Sequence, residues 1–267
     1  MSLPDLKKVM IRVQTFSKGK TAERNEDYFD YNKTSFVIAD GATDKSGRSY
    51  SEKTGGQIVS KLVVQEALSS ALNGAELVDF LNKKVYQQYE SLNITNDIAR
   101  PQYRFTSGCI VVRIIAEQVF ITYIGDLGFR INGNTVYQEV KQIDIDNAEE
   151  RANYIKQTGD IHGSREHIKP LLLKQLEYQN NPQHPLGYGA IDGTTTPEKF
   201  IKTFQYPKKE IHLLELFTDG YFSIPSGTTI SDWEKAFEKV EQEDPDKCKT
   251  HKSTKSNDDR TIAIIQL

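Results

Sequence analysis

The length, composition and charge of this chain of 267 residues are those of one large globular domain. Apolar residues make up 37%, and no apolar run approaches the roughly 20 residues that cross a bilayer, so we expect neither a membrane span nor a signal segment. The net charge of -3 argues against a nucleic-acid-binding protein, which usually carries a basic surface. We therefore expect a cytoplasmic monomer in which residues 1–267 form a single domain.

Three strands and two helices are predicted between the N-terminus and Ile115. The strand-forming runs, rich in β-branched and aromatic residues, are Val9 to Phe16, Ser35 to Asp40 and Phe105 to Ile115. Ser51 to Leu72 carries apolar residues near the 3.6-residue period of a helix. Glu76 to Leu92 is expected to follow it as a second helix.

The rest of the chain continues this alternation. Further strands and helices are predicted at Val119 to Ile124, Asp146 to Gln157, His167 to Tyr178, Ile211 to Phe217, Ser231 to Glu243 and Thr261 to Leu267. Ser231 and Glu234 form a capping-box pattern at the start of the last helix. The segment Phe105 to Val140 contains four short strands joined by tight turns, which favours antiparallel pairing. Helical pairs between runs of strands predict an α+β sandwich with helices outside the sheets.

Acidic residues recur at the ends of predicted strands. The segments are Asn25-Glu26-Asp27, Ala39-Asp40-Gly41, Ile124-Gly125-Asp126, Thr218-Asp219-Gly220 and Asp258-Asp259. Asp-Gly after an apolar run is usually a turn, because glycine adopts positive φ and aspartate bonds its own backbone. If the strands lie side by side, however, the carboxylates meet at one rim of the core, and their repulsion requires a positive charge nearby. A divalent cation is the simplest candidate.

The donor atoms narrow the choice of metal. The candidates are carboxylates and a backbone carbonyl that Gly41 could expose by letting the chain approach closely. Oxygen ligands suit magnesium, manganese or calcium, whereas zinc favours histidine or cysteine. His162 and His167 show no ligand spacing with the acids, so we expect structural or surface roles for the histidines.

The acidic motifs resemble, in order and in spacing, those of the metal-dependent serine/threonine protein phosphatases of type 2C. The matching motifs are Asn25-Glu26-Asp27, Ala39-Asp40-Gly41, Ile124-Gly125-Asp126, Phe217-Thr218-Asp219-Gly220 and Asp258-Asp259-Arg260-Thr261. The match extends from Gln14 to Leu267, and His184-Pro185-Leu186-Gly187 resembles the segment that precedes the family's second Asp-Gly. The resemblance, which is to bacterial members, implies two packed antiparallel β-sheets flanked by helices on both sides.

The resemblance also implies a centre that holds two Mn²⁺ or Mg²⁺ ions. Asp40 resembles the ligand that bridges both ions, and Asp219 and Asp258 would complete the shell of the first. These three carboxylates are the expected catalytic residues. The backbone carbonyl of Gly41 would bind the second ion.

Three further acids belong to the implied metal centre. Glu26 and Asp27 would act largely through bound waters, and Asp126 resembles the residue that helps to hold a third ion in bacterial members. Two ions about 3.5–4 Å apart can lower the pKa of a bridging water and hold phosphoryl oxygens for in-line attack. The implied enzyme is a hydrolase that removes phosphate from phosphoserine or phosphothreonine of a protein partner, without a protein nucleophile.

Two positions depart from the family pattern. Where the family often has an arginine that binds substrate phosphate, this chain has Ala22. Arg24 is the nearest arginine, and it either reaches the site as a substrate-binding residue or only solvates the strand. Ala42 stands where some members have a histidine proposed as general acid, so protonation of the leaving group would fall to water or another group.

Two other interpretations of the sequence remain open. Ile191-Asp192-Gly193-Thr194 resembles a loop of haloacid-dehalogenase-like phosphatases, but Ala190 replaces their nucleophilic aspartate, which favours a turn. The second interpretation is a catalytically weak or inactive member of the type 2C fold that acts as a binding or scaffold module. The missing arginine and histidine support it, whereas the presence of every expected metal carboxylate favours an active enzyme.

The segment Lys247 to Lys255 is the one strongly basic stretch. We expect a solvated loop there. Because it precedes Asp258, it could also edge the active site and attract phosphorylated substrates.

Overall fold

Two antiparallel sheets, each of five strands, form the centre of the molecule. The computed structural model describes residues 11–42, 45 and 47–267. The strands are β1 (Arg12–Lys18), β2 (Asp27–Tyr31), β3 (Ser35–Ala42), β4 (Thr106–Ile115), β5 (Gln118–Ile124), β6 (Gly128–Ile131), β7 (Thr135–Gln138), β8 (Lys202–Pro207), β9 (Leu213–Phe217) and β10 (Arg260–Gln266). The helices are α1 (Gly55–Ser69), α2 (Gly74–Ser91), α3 (Gln142–Thr158), α4 (Ser164–His167), α5 (Lys169–Gln175) and α6 (Ile230–Glu243). The predicted α+β sandwich is confirmed.

Each sheet contains strands that are far apart in the sequence. The first sheet has the order β1-β10-β9-β6-β7, and the second has the order β2-β3-β4-β5-β8. Strand β1 pairs with β10 along its whole length, from Arg12 opposite Gln266 to Lys18 opposite Arg260. The two ends of the described chain therefore lie side by side in one sheet.

Alternation of side chains along the strands explains why so many predicted strands are apolar on both faces. In β3, Phe36 and Ile38 pack between the sheets, in the same cluster as Leu216 of β9. Val37 and Ala39 face the other way and pack against α1 and α2. Helix α6 covers the first sheet through Trp233, whose ring lies 4.8 Å from that of Phe217.

A buried ion pair lies beneath α6. Glu215, in the middle of β9, accepts hydrogen bonds from Arg130 Nε at 2.6 Å and from Trp233 Nε1 at 2.8 Å. Arg130 also donates to the carbonyls of Pro225 and Gly227, and so holds the chain that follows β9. The acid that interrupts this apolar strand is thus a structural residue.

Most predicted elements are confirmed to within a few residues, with three differences. Val9 and Met10 of the first predicted strand lie outside the described residues. The helix predicted at His167 to Tyr178 is broken into α4, α5 and a 3₁₀ turn, because Pro170, the second residue of α5, has no N–H to continue the hydrogen bonds of α4. Strands β2 and β8 were not predicted.

None of the described helices combines the length and the apolar character required to cross a membrane.

The cap of α6 differs from the predicted one. Thr229, not Ser231, is the N-cap, and its hydroxyl oxygen accepts a hydrogen bond from the Asp232 backbone N–H at 3.2 Å. The Asp232 carboxylate accepts in return from the Thr229 N–H at 3.0 Å. The sequence contains two overlapping capping patterns, Thr229 with Asp232 and Ser231 with Glu234. The first of them forms the capping box in the structure.

We expect Thr229→Ala to lower the free energy of unfolding by about 1 kcal/mol, because an orphan N–H at the start of α6 loses its acceptor. Ser231→Ala is the matched control and should change stability by less than about 0.5 kcal/mol. Urea unfolding of both variants checks this, and an equal loss in the two would contradict the observed cap.

Candidate metal centre

The acidic strand ends meet at one end of the sandwich. Asp27 at the start of β2 lies directly opposite Asp40 of β3. The ends of β9 and β10 adjoin, since the Thr218 N–H donates to the Thr261 carbonyl at 3.1 Å. A cavity of about 390 Å³ opens here, within the roughly 300–1,000 Å³ typical of small-ligand sites. The acids that line it are Glu26, Asp40, Asp126, Glu139, Asp144, Asp219 and Asp258.

Asp27 lies just behind the cavity, between the two sheets, and is 5% exposed. Its Oδ2 accepts a hydrogen bond from the Thr218 hydroxyl at 2.8 Å. Its Oδ1 is buried and has no hydrogen-bond partner among the described residues. A buried carboxylate oxygen without a partner is costly, and a cation or a cation-bound water would compensate it.

The backbone at Gly41 is crowded by two other segments. The Gly41 N–H donates to the Glu26 carbonyl at 3.0 Å. A Cβ at this position would lie 2.3 Å from the carbonyl oxygen of Gly56 and 2.8 Å from that of Glu26. Glycine is therefore required for β3 to approach both β2 and the first turn of α1.

Glu26 is fully buried at the edge of the cavity. Its Oε1 accepts from the hydroxyl of Thr54, the N-cap of α1, at 2.5 Å, and its Oε2 pairs with Lys20. Lys20 also lies 3.2 Å from Asp259 Oδ2, and its backbone N–H donates to Asp259 Oδ1 at 2.7 Å. Glu26 and Asp259 thus share one lysine.

Burial and mutual repulsion make the ionised acids unfavourable. Burial raises the pKa of Asp40 well above its ordinary value, and the charges of Asp27, Asp126 and Asp258 raise it further. Burial raises the pKa of Asp219 in the same way, with a further contribution from Asp40. Electrostatic repulsion predicted from the sequence is therefore present, and a bound cation would relieve it.

Asp27 has the same kind of raised pKa. Burial is the main cause, opposed by the hydrogen bond from Thr218, and the charges of Asp258 and Asp259 add to the increase.

Lysines neutralise part of this negative charge. Lys255 forms an ion pair with Asp258, and Lys141 Nζ lies 2.7 Å from Asp126 Oδ2. Within residues 11–42, 45 and 47–267, no three His, Cys, Asp or Glu side chains are arranged to hold one ion. Two of the carboxylates that the sequence assigns to metal, Asp258 and Asp126, are paired with these lysines instead.

The donor set nevertheless fits hard divalent cations. The cavity offers carboxylate oxygens from both sheets and no histidine or cysteine among its described lining residues. Together with the unpartnered Asp27 oxygen, this chemistry suits magnesium or manganese.

Arg24 lies on the surface, outside the lining of the cavity. Its backbone N–H donates to the Thr21 hydroxyl at 3.1 Å in an exposed turn. The cations that line the cavity are Lys20, Lys45, Arg104, Lys141, Arg165, Lys252 and Lys255. Burial, followed by the positive charge of Arg165, lowers the pKa of Lys45 to about 8. Sequence analysis missed Lys45 and Arg165, which no local motif marks.

Two other predicted segments have clear positions. Asp192 is fully buried and accepts hydrogen bonds from the Thr194 N–H at 2.9 Å and from Gln179 Nε2 at 2.6 Å, so it closes a turn as expected. The basic segment reaches the cavity through Lys252 and Lys255. Lys247, in contrast, is fully buried and pairs with Glu241, so the segment is not simply a solvated loop.

We expect Thr218→Val to lower the free energy of unfolding by about 1–3 kcal/mol, because Asp27 and the Thr261 N–H each lose the buried hydroxyl to which they are hydrogen-bonded. Thr203→Val, the same change at an exposed strand position, is the matched control. Thermal and urea unfolding of metal-free protein check the difference. Equal stability of the two variants would show that the hydroxyl of Thr218 does not hold Asp27.

Comparison with solved structures identifies the fold. The Mycobacterium tuberculosis serine/threonine phosphatase PstP/Ppp matches with 16% identity and a TM-score of 0.53, over 96% of this chain and 98% of that one. Stp1, a serine/threonine phosphatase of Staphylococcus aureus, matches with 17% identity and a TM-score of 0.52, over 97% and 95%. The catalytic domain of PstP in complex with two manganese ions matches with 14% identity and a TM-score of 0.52, over 96% and 97%.

These likenesses show that the chain has the fold of the bacterial serine/threonine phosphatases, as the sequence motifs predicted. No protein-family model matches the sequence, and no curated protein matches it significantly.

Proposed function

We propose that the chain is a metal-dependent phosphomonoester hydrolase that acts on phosphoserine or phosphothreonine of proteins. The observation that carries the proposal is the meeting of Asp40, Asp219 and Asp258 at one cavity, beside the unpartnered Oδ1 of Asp27. Such a concentration of buried carboxylates favours a site for divalent cations. The substrate class is supported by the names of the proteins that share the fold.

Residues from both sheets have assigned roles in this proposal. Asp40 would bridge two Mn²⁺ or Mg²⁺ ions, and Asp219 and Asp258 would bind the first. The Gly41 carbonyl would face the second. Bound ions of this kind supply a water of lowered pKa and stabilise charge on the phosphoryl oxygens.

The remaining acids would hold the outer part of the centre. Glu26 and Asp27 would bind metal-coordinated waters, and Asp126 would contribute to a third ion together with Asp219. Thr218 binds one oxygen of Asp27, and the other oxygen accepts no hydrogen bond from the part of the chain that the structure describes.

The wall of the cavity offers positive charge to a phosphate dianion. Arg165 and Lys45 are among its lining residues, and they would bind the phosphoryl oxygens in place of the arginine that is absent at Ala22. Arg24 remains an alternative only if its exposed turn moves toward the cavity.

The proposal includes residues 1–267 as one catalytic domain. Pairing of β1 with β10 supports it, since the described ends of the chain complete the same sheet. A chain divided into separate domains would not need this pairing.

A catalytically weak binding module of the same fold is the second candidate. The ion pairs of Lys255 with Asp258 and of Lys141 with Asp126 favour it, because these carboxylates are already neutralised by the chain itself. A binding module would keep the fold without needing manganese.

Hydrolysis of para-nitrophenyl phosphate and of phosphoserine, phosphothreonine and phosphotyrosine peptides tests the two candidates. Metal-stripped protein should be inactive, and added Mn²⁺ should start hydrolysis of the phosphoserine or phosphothreonine peptides. Absence of hydrolysis by protein that is shown to bind Mn²⁺ would favour the binding module.

A further inference from the structure

Lys255 places an ammonium group inside the acidic cluster. Its Nζ forms a hydrogen-bonded ion pair with Asp258 Oδ2. Its side chain lines the same cavity as Asp258, Asp219 and Asp40. The same three carboxylates are the ones assigned to the first metal ion.

The backbone that carries Lys255 is held in place from one side by Asp244. This carboxylate is fully buried and accepts hydrogen bonds from the N–H groups of Cys248, Lys249 and His251, at 2.9 to 3.0 Å. The start of the basic segment is therefore a fixed turn.

Two arginines, one in α3 and one in α4, bind residues on either side of Lys255. Arg151 of α3 is buried, and its guanidinium donates to the Ser253 carbonyl at 3.0 Å and to the Ser256 hydroxyl at 2.7 Å. Arg165 of α4 donates to the Thr254 carbonyl. The residues on both sides of Lys255 are thus fixed by hydrogen bonds, and its side chain extends from this fixed backbone into the cavity.

Two other lysines that pair with acids of the cluster have different partners. Lys20 pairs with Glu26 and Asp259, and Lys141 pairs with Asp126, both at the edges of the cluster. Of the described lysines that form ion pairs here, Lys255 is the one that pairs with a carboxylate assigned to the first ion.

The ammonium of Lys255 and a metal ion cannot both occupy the same side of Asp258, because two cations in contact repel each other. We propose that Lys255 is a tethered counter-cation that neutralises the acidic cluster of the metal-free protein and that must leave Asp258 when a divalent cation binds. The inference rests on the proposed metal centre. Its consequence is a protein that folds stably without metal and responds to a higher range of metal concentration.

The experiment compares Lys255→Met with the wild type, with Lys255→Arg, and with Lys249→Met as the matched control in the same segment. Lys249 is exposed and lies outside the cavity lining. Calorimetric titration of metal-stripped protein with Mn²⁺ measures affinity, and thermal unfolding in chelator measures stability without metal.

We expect Lys255→Met to bind Mn²⁺ at least about tenfold more tightly, because the competing charge is gone. In chelator it should unfold at a lower temperature than the wild type, because the acids then repel each other without compensation. Lys255→Arg and Lys249→Met should remain close to the wild type in affinity.

Each contrary result has a distinct meaning. Equal or weaker Mn²⁺ binding by Lys255→Met, with binding by the wild type, would overturn the counter-cation and leave the metal centre standing. Lack of binding by either protein would overturn both. Tighter binding without any phosphatase activity would support the counter-cation and remove the proposed function.

Discussion

Replacing Asp219 with asparagine is expected to lower Mn²⁺-dependent hydrolysis of para-nitrophenyl phosphate by roughly a thousandfold or more, because a metal centre supplies several kcal/mol of the catalysis. The change preserves the shape of the side chain but removes one negative charge next to Asp40 and Asp258. Loss of a ligand charge weakens the hold on the cation, so part of the loss should be recovered at high Mn²⁺ concentration.

Asp146→Asn is the matched control for this variant. Asp146 is exposed on α3, where its carboxylate accepts a hydrogen bond from the side chain of Gln142 at 2.8 Å. The control should keep wild-type activity. If Asp219→Asn retained activity within a few-fold of the control, Asp219 would not be a metal ligand.

Replacing Glu215 with alanine is expected to lower the free energy of unfolding by about 3–5 kcal/mol, the typical cost of leaving one partner of a buried ion pair uncompensated. The side chains of Arg130 and Glu215 are 2% and 0% exposed, so water cannot replace the lost charge. Trp233 would also lose the acceptor of its indole N–H. Urea unfolding of metal-free protein measures the change.

The double variant Arg130→Met with Glu215→Leu is the control, because it removes both charges and leaves no uncompensated charge in the core. Apolar side chains of similar volume remove both ions together, and such replacements are often neutral apart from lost hydrogen bonds. We expect the double variant to be more stable than Glu215→Ala alone. If the losses of unfolding free energy caused by the changes at Arg130 and at Glu215 simply added in the double variant, the two residues would act through separate contacts and not through compensated charge.

The positions of the strands along the chain could be predicted from the sequence where the local apolar pattern decides them. Apolar runs such as Ser35 to Asp40 mark strands that are covered on both faces. Strand β2, with the sequence Asp-Tyr-Phe-Asp-Tyr, was missed because its acids interrupt the apolar pattern, and its pairing with β3 gives it regular structure. Tertiary pairing overrides a weak local preference in such an edge strand.

The carboxylates of the candidate site could be predicted from the sequence, but most of the lysines that face them could not. Carboxylates at strand ends are visible because the acid and the strand are adjacent in sequence. The lysines that face these carboxylates cannot be recognised in the same way, because the partner of Asp259 is Lys20, which lies 239 positions away in the sequence. Lys255 lies only three residues before Asp258, but in the sequence it belongs to a basic segment whose fixed backbone depends on Arg151 of a distant helix.

Calorimetric titration of metal-stripped wild type and Asp40→Asn with Mn²⁺ tests the metal centre most directly, because Asp40 is the proposed ligand of both ions. We expect the wild type to bind Mn²⁺ and the variant to bind at least about tenfold more weakly, because a bridging charge is lost. Absence of binding by the wild type, or equal binding by the two proteins, would contradict a metal centre at these strand ends.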